Sequence, residues 1–126
     1  MVSFQGFQMM EGSPIYLQLV AYVKRGMASG TIRDGEELPS RRTLSALLGV
    51  NPNTIQKAFR LLEEEGLVCS HTGAKSYVRL TEDRVQSLRR ELVREDVGLI
   101  VSNLKQTGIS RQEAVELLEA MWEELP

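Results

Sequence analysis

Two helical patterns in this sequence are separated by only Gly49 and Val50, and this short connection constrains the fold more than any other feature. The pattern before it follows Ser40, a residue type that commonly caps helices, and carries leucines at helical intervals. The pattern after it opens with Asn51 and Pro52, a cap followed by a proline at the first helical position. Because a tight turn containing glycine joins them, the two helices are predicted to cross at a steep angle.

One more helix is predicted before this pair. Ser13 and Pro14 repeat the combination of cap and proline, and Gly30 is placed to end the helix that they open. In this helix, and again after Pro52, apolar residues recur at intervals of three and four positions, which predicts one buried face on each helix. The face after Pro52 consists of Ile55, Ala58, Phe59 and Leu62.

A β-hairpin is predicted after the three helices. The short runs 67–71 and 76–80 flank residues 72–75, which include Gly73 and are typical of a turn. Three helices followed by a hairpin is the order of a winged helix-turn-helix. In that fold the third helix enters the major groove of DNA and the hairpin contacts the backbone or the minor groove.

The remainder is predicted to form two helices. Residues 85–104 carry two apolar stripes on one long segment, Gly108 interrupts it, and Ser110 with Glu113 makes a capping box before the last helix. Two helices with exposed apolar stripes cannot bury both against one small domain, so they are predicted to form the interface of a symmetric homodimer. The predicted interface residues are Val85, Leu88, Leu92, Leu99, Ile100, Leu104, Leu118, Met121 and Trp122.

The predicted fold class is mainly α with a small β-hairpin. A winged helix-turn-helix at residues 13–80 is followed by a two-helix dimerisation tail at residues 81–126. Residues 1–12 mix apolar residues with glycine and glutamine without a clear period, so they are assigned only as an N-terminal arm.

Charge is distributed unevenly along the chain. The net charge of −2, from 15 basic and 17 acidic side chains, argues against binding nucleic acid by bulk charge. Residues 1–80, however, carry 9 basic and 7 acidic side chains, whereas residues 81–126 carry 6 and 10. The stretch from Leu38 to Leu62 contains four basic residues and no acid, which makes it the candidate anion-binding surface.

Candidate DNA contacts lie at the starts of the second and third helices and at the tip of the hairpin. Arginines in the first turn of the second helix are predicted to bind phosphate together with exposed backbone N–H groups. At the start of the third helix, amide side chains can pair with adenine and a lysine can reach guanine, while Asn51 is also expected to cap the helix. The candidate contacts are Ser40, Arg41, Arg42, Asn51, Asn53, Thr54, Gln56, Lys57, Thr72, Gly73 and Lys75.

Catalysis and metal binding are not expected of this chain. One cysteine, Cys69, and one histidine, His71, are too few for a typical zinc site, and no catalytic set is possible beyond that lone histidine. Glycine-rich phosphate loops are absent from the sequence, so no cofactor is expected. Without a membrane-length apolar run or a signal-peptide pattern, the chain is expected to be cytoplasmic and to make no membrane contact.

The residues around the predicted turn follow a recognisable pattern. The pattern comprises Leu38–Arg42, Leu44, Leu47, Gly49–Thr54, Ala58, Leu61, Leu62, Gly66 and Leu67, and is strengthened by the opening Pro14, Ile15, Tyr16 and Gln18. On these positions the chain resembles the GntR family of bacterial transcription regulators. The short two-helix tail looks like that of the YtrA subfamily in its length and helical pattern.

The resemblance implies a homodimeric winged-helix regulator, usually a repressor, that binds a palindromic operator and often controls its own operon and a neighbouring transporter. By position, the contacts of the family fall on Arg42, Asn51, Asn53, Thr54, Gln56, Thr72 and Gly73. Some relatives have arginines at the positions of Pro52 and Gln56, so their guanine contacts do not transfer and the operator sequence stays open. Most subfamilies append a large effector-binding domain, whereas about 45 residues of tail leave little room for an enclosed pocket, which argues against a small-molecule effector.

An alternative function is a winged-helix module that binds another protein, with the acidic tail as its docking surface. This alternative predicts that Arg42→Ala and Asn53→Ala leave the activity unchanged. The DNA-binding function instead predicts a loss of about 1–3 kcal/mol for a residue that contacts a base.

Overall fold

The computed structural model describes residues 1–71 and 75–126. Within these ranges it contains five helices and one antiparallel pair of strands. In chain order they are α1 (Ile15–Ser29), α2 (Arg41–Leu48), α3 (Pro52–Glu64), β1 (Val68–His71), β2 (Lys75–Val78), α4 (Glu82–Thr107) and α5 (Arg111–Glu124). The predicted fold class, mainly α with a small β-hairpin, is confirmed.

The turn between α2 and α3 is built from local hydrogen bonds. Gly49 ends α2 with a φ of 67°, a left-handed conformation that strains residues with a Cβ, and the Val50 N–H donates to the Ser45 carbonyl at 3.1 Å. The Asn51 side chain then accepts a hydrogen bond from the Asn53 N–H at 2.8 Å. These bonds satisfy backbone groups at both helix ends, so the short connection is stable. The predicted ending at Gly49 and cap at Asn51 are confirmed.

The predicted cap of α1 is wrong. The residue that precedes the helix is Pro14, and no side-chain cap hydrogen bond is formed there. The nearby polar bonds run instead through Gln18, whose side chain donates to the carbonyls of Ser13 and Met10 at 2.9 and 2.7 Å and accepts from the Met10 N–H at 2.8 Å. The carboxamide of Gln18 therefore ties the entering chain to the first turn of α1.

Contacts divide the chain into two units, residues 1–89 and 90–126. The division falls within α4, whereas the sequence pattern placed the tail from residue 81. The first turns of α4 belong to the first unit because Leu88 is 1% exposed in its core and the Arg89 guanidinium donates two hydrogen bonds to the Ala28 carbonyl, at 2.8 and 3.2 Å. Burial of Leu88 leaves this residue, predicted for the dimer interface, almost no surface to offer a second copy.

The core of the first unit joins the predicted apolar faces of α1 and α3 to α2, the hairpin and the start of α4. Its buried residues are Val2, Phe4, Leu19, Val20, Val23, Met27, Ile32, Leu38, Leu44, Val50, Ile55, Ala58, Phe59, Leu62, Leu67, Val68, Val78 and Leu88. The four residues predicted for the buried face of α3 all lie in this core. Burial of these side chains is the dominant force that holds the three helices in place.

The N-terminal arm is part of this core. Val2 and Phe4 are 3% and 4% exposed, and the Val2 N–H donates to the Glu37 carbonyl at 2.9 Å. The Phe4 ring lies 5.3 Å from that of Tyr22 on α1. The arm therefore covers one side of α1 with buried apolar side chains.

The hairpin of β1 and β2, called the wing below, is anchored at its base. Val68 pairs with Val78 at one end and His71 with Lys75 at the other. The loop before α2 runs alongside β2, where the Leu38 N–H donates to the Ser76 carbonyl and the Val78 N–H to the Glu36 carbonyl, both at 2.8 Å. These bonds fix the wing beside the helices.

The second unit contains the rest of α4 and α5. The capping box predicted at Ser110 and Glu113 is confirmed, since each side chain bonds the backbone N–H of the other. No residue of α5 is buried. Most of its apolar side chains, Ala114, Leu117, Leu118, Met121 and Trp122, line a groove of about 680 Å³ together with Ile100 and Leu104 of α4.

Candidate nucleic-acid interface

The exposed face of α3 carries the residues predicted to contact bases. Asn53 and Lys57 lie one helical turn apart and are exposed, on the side opposite the buried face of the helix. Thr54 and Gln56 are half-buried on either flank. The start of α3 therefore presents a row of polar side chains of the kind that bonds base edges in the major groove.

The two arginines of α2 have different surroundings. Arg41 is turned into the domain, with Nη2 at 3.7 Å from a Glu63 carboxylate oxygen and the guanidinium carbon at 5.5 Å from the centroid of the Phe59 ring. Its Nε is buried without a hydrogen-bond partner among the described residues. The exposed Arg42 side chain makes no hydrogen bond or ion pair with any part of the chain that the structure describes. Arg42 is therefore the arginine that is free for phosphate.

We expect replacement of these arginines by methionine to affect DNA binding differently. Arg42→Met should weaken binding to specific and random duplexes about equally and reduce the slope of log K against log salt concentration by about 1, as expected for one lost phosphate contact. Arg41→Met should leave the slope unchanged. The Arg41 guanidinium faces the Glu63 carboxylate within the protein, so its removal should not cost a phosphate contact. Fluorescence anisotropy titrations over a salt series measure both slopes, and equal reductions in the two variants would contradict this assignment.

Lys57 has a partner that sequence reasoning missed. Its Nζ lies 4.3 Å from the centroid of the Tyr16 ring on α1. Tyr16 lies in the first turn of α1, and the structure leaves the residue half-buried. A linear pattern carries no signal for this contact, because it depends on how α1 packs against α3.

Ser40 and Asn51 lie at the two helix starts as predicted, and both serve as caps. The Ser40 Oγ accepts a hydrogen bond from the Thr43 N–H at 3.1 Å, and Asn51 bonds the Asn53 N–H. Both residues are exposed, so contact with phosphate is compatible with capping.

Three residues of the wing are predicted to contact DNA, and the structure describes one of them, Lys75. Lys75 is exposed and its Nζ lies 3.7 Å from a carboxylate oxygen of Glu37. His71 packs its ring at 5.1 Å from Tyr77. The other predicted contacts, Thr72 and Gly73, lie outside the described residues.

The acidic end of α3 is engaged within the domain. Glu63 accepts a hydrogen bond from the Ser70 hydroxyl as well as facing Arg41, and Glu65 pairs with Lys24 at 2.8 Å. Two of the three carboxylates that end α3 are thus held against their own domain, which limits their repulsion of phosphate.

Most residues predicted for the tail interface are accessible. Leu99, Ile100, Leu118, Met121 and Trp122 are exposed, and Val85, Leu92 and Leu104 are half-buried. The groove of the tail is also lined by Ala114, Leu117, Leu125 and Pro126, which the predicted set did not include. Leu117 and Leu125 belong to the same apolar stripe as Leu118, so the sequence signal for them was present.

Within residues 1–71 and 75–126, no group of three or more His, Cys, Asp and Glu side chains is arranged to hold a metal ion. None of the described helices combines the length and apolarity needed to cross a membrane.

Comparison with known proteins places these features in a family. The model of the family described as "Bacterial regulatory proteins, gntR family" matches residues 15–78. The HTH-type transcriptional repressor YtrA of Bacillus subtilis is 32% identical over 88% of this chain and 81% of its own length. The uncharacterised HTH-type transcriptional regulator YhcF of the same organism is 28% identical over 92% and 96%.

Solved structures agree with this assignment. A GntR family transcriptional regulator from Listeria monocytogenes superposes with a TM-score of 0.80 at 28% identity, covering 89% of this chain and 98% of that protein. YtrA from Sulfolobus acidocaldarius, a GntR-family transcription factor, has a TM-score of 0.55 at 25% identity, with 94% and 97% covered. The family and these relatives are transcriptional regulators and not enzymes. The chain belongs to the GntR family, is similar to its YtrA-like members, and is a DNA-binding helix-turn-helix transcriptional regulator.

Proposed function

We propose that the protein acts in the cytoplasm as a homodimeric repressor that binds a palindromic operator, and that its targets are its own operon and a transporter operon. Repression is supported by the relative named HTH-type transcriptional repressor YtrA, which matches 88% of the chain. The observation that carries the proposal is that the protein has two separate exposed surfaces. The first unit presents the polar outer face of α3, and the second unit presents an apolar surface that no described residue covers. The proposal includes no small-molecule effector.

The apolar surface of the tail supports the homodimer. Trp122 is 77% exposed and Leu118 52% exposed, beside an apolar groove in the same unit. Contact of such side chains with water is unfavourable, and two copies related by a two-fold axis can cover the same surface on each other. A two-fold dimer in turn sets its recognition helices about 34–36 Å apart, or at a multiple of that distance, and so requires a two-fold operator.

The outer face of α3 supports sequence-specific binding. The carboxamide of Asn53 has no hydrogen-bond partner in the described residues and can form a bidentate pair with adenine. Gln56 on the flank offers the same chemistry. Asn53 and Gln56 therefore provide specificity in this proposal, while Arg42 provides affinity.

The proposal is tested by titrating the protein against the DNA upstream of its own gene and against a random duplex of equal length, each over a salt series. A repressor of its own operon should prefer the upstream DNA at physiological salt and protect a two-fold footprint on it. Equal, weak and steeply salt-dependent binding to both duplexes would contradict operator recognition there. Undiminished activity of the Arg42→Ala and Asn53→Ala variants would favour the protein-docking alternative.

We expect Asn53→Ala to lower the affinity for the operator by about 1–3 kcal/mol and to leave binding to random duplex unchanged, because only the operator offers the matching base edge. Anisotropy titrations on both duplexes measure the difference. Asn103→Ala, which changes an exposed asparagine of α4 in the other unit, is the matched control and should have no effect. Equal weakening on both duplexes by Asn53→Ala would show that Asn53 contacts backbone and not bases.

A further inference from the structure

The cation of Lys57 is held away from the row of polar side chains that α3 directs outward. Asn53 and Lys57 share the exposed face of the helix, one turn apart. The Lys57 ammonium, however, lies over the ring of Tyr16 at 4.3 Å from its centroid, on the flank of α3 where α1 packs. An ammonium over a tyrosine ring is attracted by the negative face of the ring, so this position is preferred over a freely extended side chain.

The Tyr16 ring leaves the cation available for a further ligand. A lysine ammonium carries three donors, and an aromatic ring contacts it from one side only. The structure shows no ion pair between Lys57 and any described carboxylate, whereas Arg41, Lys24 and Lys75 each face one. The Lys57 side chain is also exposed.

We infer that Tyr16 is a positioning residue that holds the Lys57 ammonium beside the recognition helix as a phosphate-binding group. In helix-turn-helix complexes the recognition helix occupies the major groove and neighbouring helices lie against the sugar-phosphate backbone. The Lys57 ammonium lies over Tyr16 of α1 and not on the outer face of α3. In such a complex it would therefore lie nearer to the phosphates than to the base edges. Lys57, predicted from sequence as a base contact, is thereby assigned to affinity, and Asn53 remains the base contact on that face.

Four variants of the full-length protein test the coupling: Lys57→Met, Tyr16→Leu, Tyr16→Phe and the double variant Tyr16→Leu with Lys57→Met. Lys57→Met should weaken binding to specific and random duplexes by the same factor and reduce the salt slope by about 1. Tyr16→Leu should weaken binding to both about 2-fold to 5-fold, since the ammonium is no longer held in place. In the Lys57→Met background Tyr16→Leu should cause no further loss. Tyr16→Phe keeps the ring and should bind like the unaltered protein.

Tyr22→Leu is the matched control, because it makes the same change on the same helix at a residue whose ring contacts Phe4 and Phe7 and no described cation. It should leave DNA affinity unchanged, and thermal melts of every variant separate loss of folding from loss of binding. The inference is overturned if the losses from Tyr16→Leu and Lys57→Met add, if Tyr16→Phe binds as weakly as Tyr16→Leu, or if Lys57→Met weakens only specific binding. The random-duplex measurements test the coupling even if the proposed operator proves wrong.

Discussion

Replacing Leu118 by glutamate should convert the protein from a dimer into a monomer and lower its affinity for a two-fold operator by about 100-fold to 10,000-fold. Leu118 is 52% exposed and lies at the apolar groove of the tail. In the proposed dimer this side chain is covered by the second copy, where a lone carboxylate would be buried without a partner. Two linked half-site contacts bind far more tightly than one, because the second contact becomes intramolecular, and a monomer loses that advantage.

Ala120→Glu is the control for this variant. It introduces the same charge two positions further along α5, about 200° around the helix from Leu118. Ala120 is exposed and does not line the groove. Sedimentation velocity at micromolar concentration should find Leu118→Glu monomeric and Ala120→Glu dimeric. In titrations, Leu118→Glu should bind the operator weakly and Ala120→Glu should bind it like the unaltered protein. A dimeric Leu118→Glu, or a monomeric unaltered protein that shows no change on adding DNA, would refute dimerisation through this surface.

Phe4→Ala should lower the free energy of unfolding by about 3–5 kcal/mol, the usual cost of removing a buried phenyl ring from a core. Phe4 is 4% exposed and its ring packs at 5.3 Å from Tyr22. A small domain has a total stability of roughly 5–15 kcal/mol, so this loss is a large fraction of it. Urea unfolding followed by circular dichroism measures the change, with protein concentration held constant because dimerisation also contributes to stability.

Met10→Ala is the matched control within the same arm. Met10 is 74% exposed, so its truncation removes little buried surface and should change stability by less than about 0.5 kcal/mol. If Phe4→Ala were as mild as Met10→Ala, the arm would not be an integral part of the core. A loss confined to Phe4→Ala would instead show that residues 1–12 are structural.

The order of the elements was predictable because the signals for it are local. A helix cap, a proline at the first helical position and a glycine at the end act within a few residues, and the structure contains these features at Asn51, Pro52 and Gly49. The apolar face of α3 was likewise predictable from its spacing. At Ser13 the same reasoning failed, because Gln18 bonds the entering chain and α1 begins after Pro14 without a side-chain cap.

The candidate interface was predictable in residue type but not in detail. Polar and basic side chains at the starts of two helices predicted a DNA contact, and the structure leaves Arg42 and Asn53 exposed there. The different surroundings of Arg41 and Arg42 could not be foreseen, because the partner of Arg41 is Glu63 at the far end of α3. Arg41 and Arg42 are adjacent in sequence, yet their side chains have different surroundings in the folded protein.

The sequence alone determined the helix-turn-helix order, the caps at Ser40, Asn51 and Ser110, and the apolar faces of α1 and α3, since each depends on contacts between residues a few positions apart. Only the tertiary structure decided that the arm enters the core through Phe4, that Leu88 belongs to the first unit, and that Lys57 lies over Tyr16. Each of these depends on the packing of segments far apart in the chain, for which a linear pattern has no period. Burial of apolar surface selects that packing, and it acts on the folded chain as a whole.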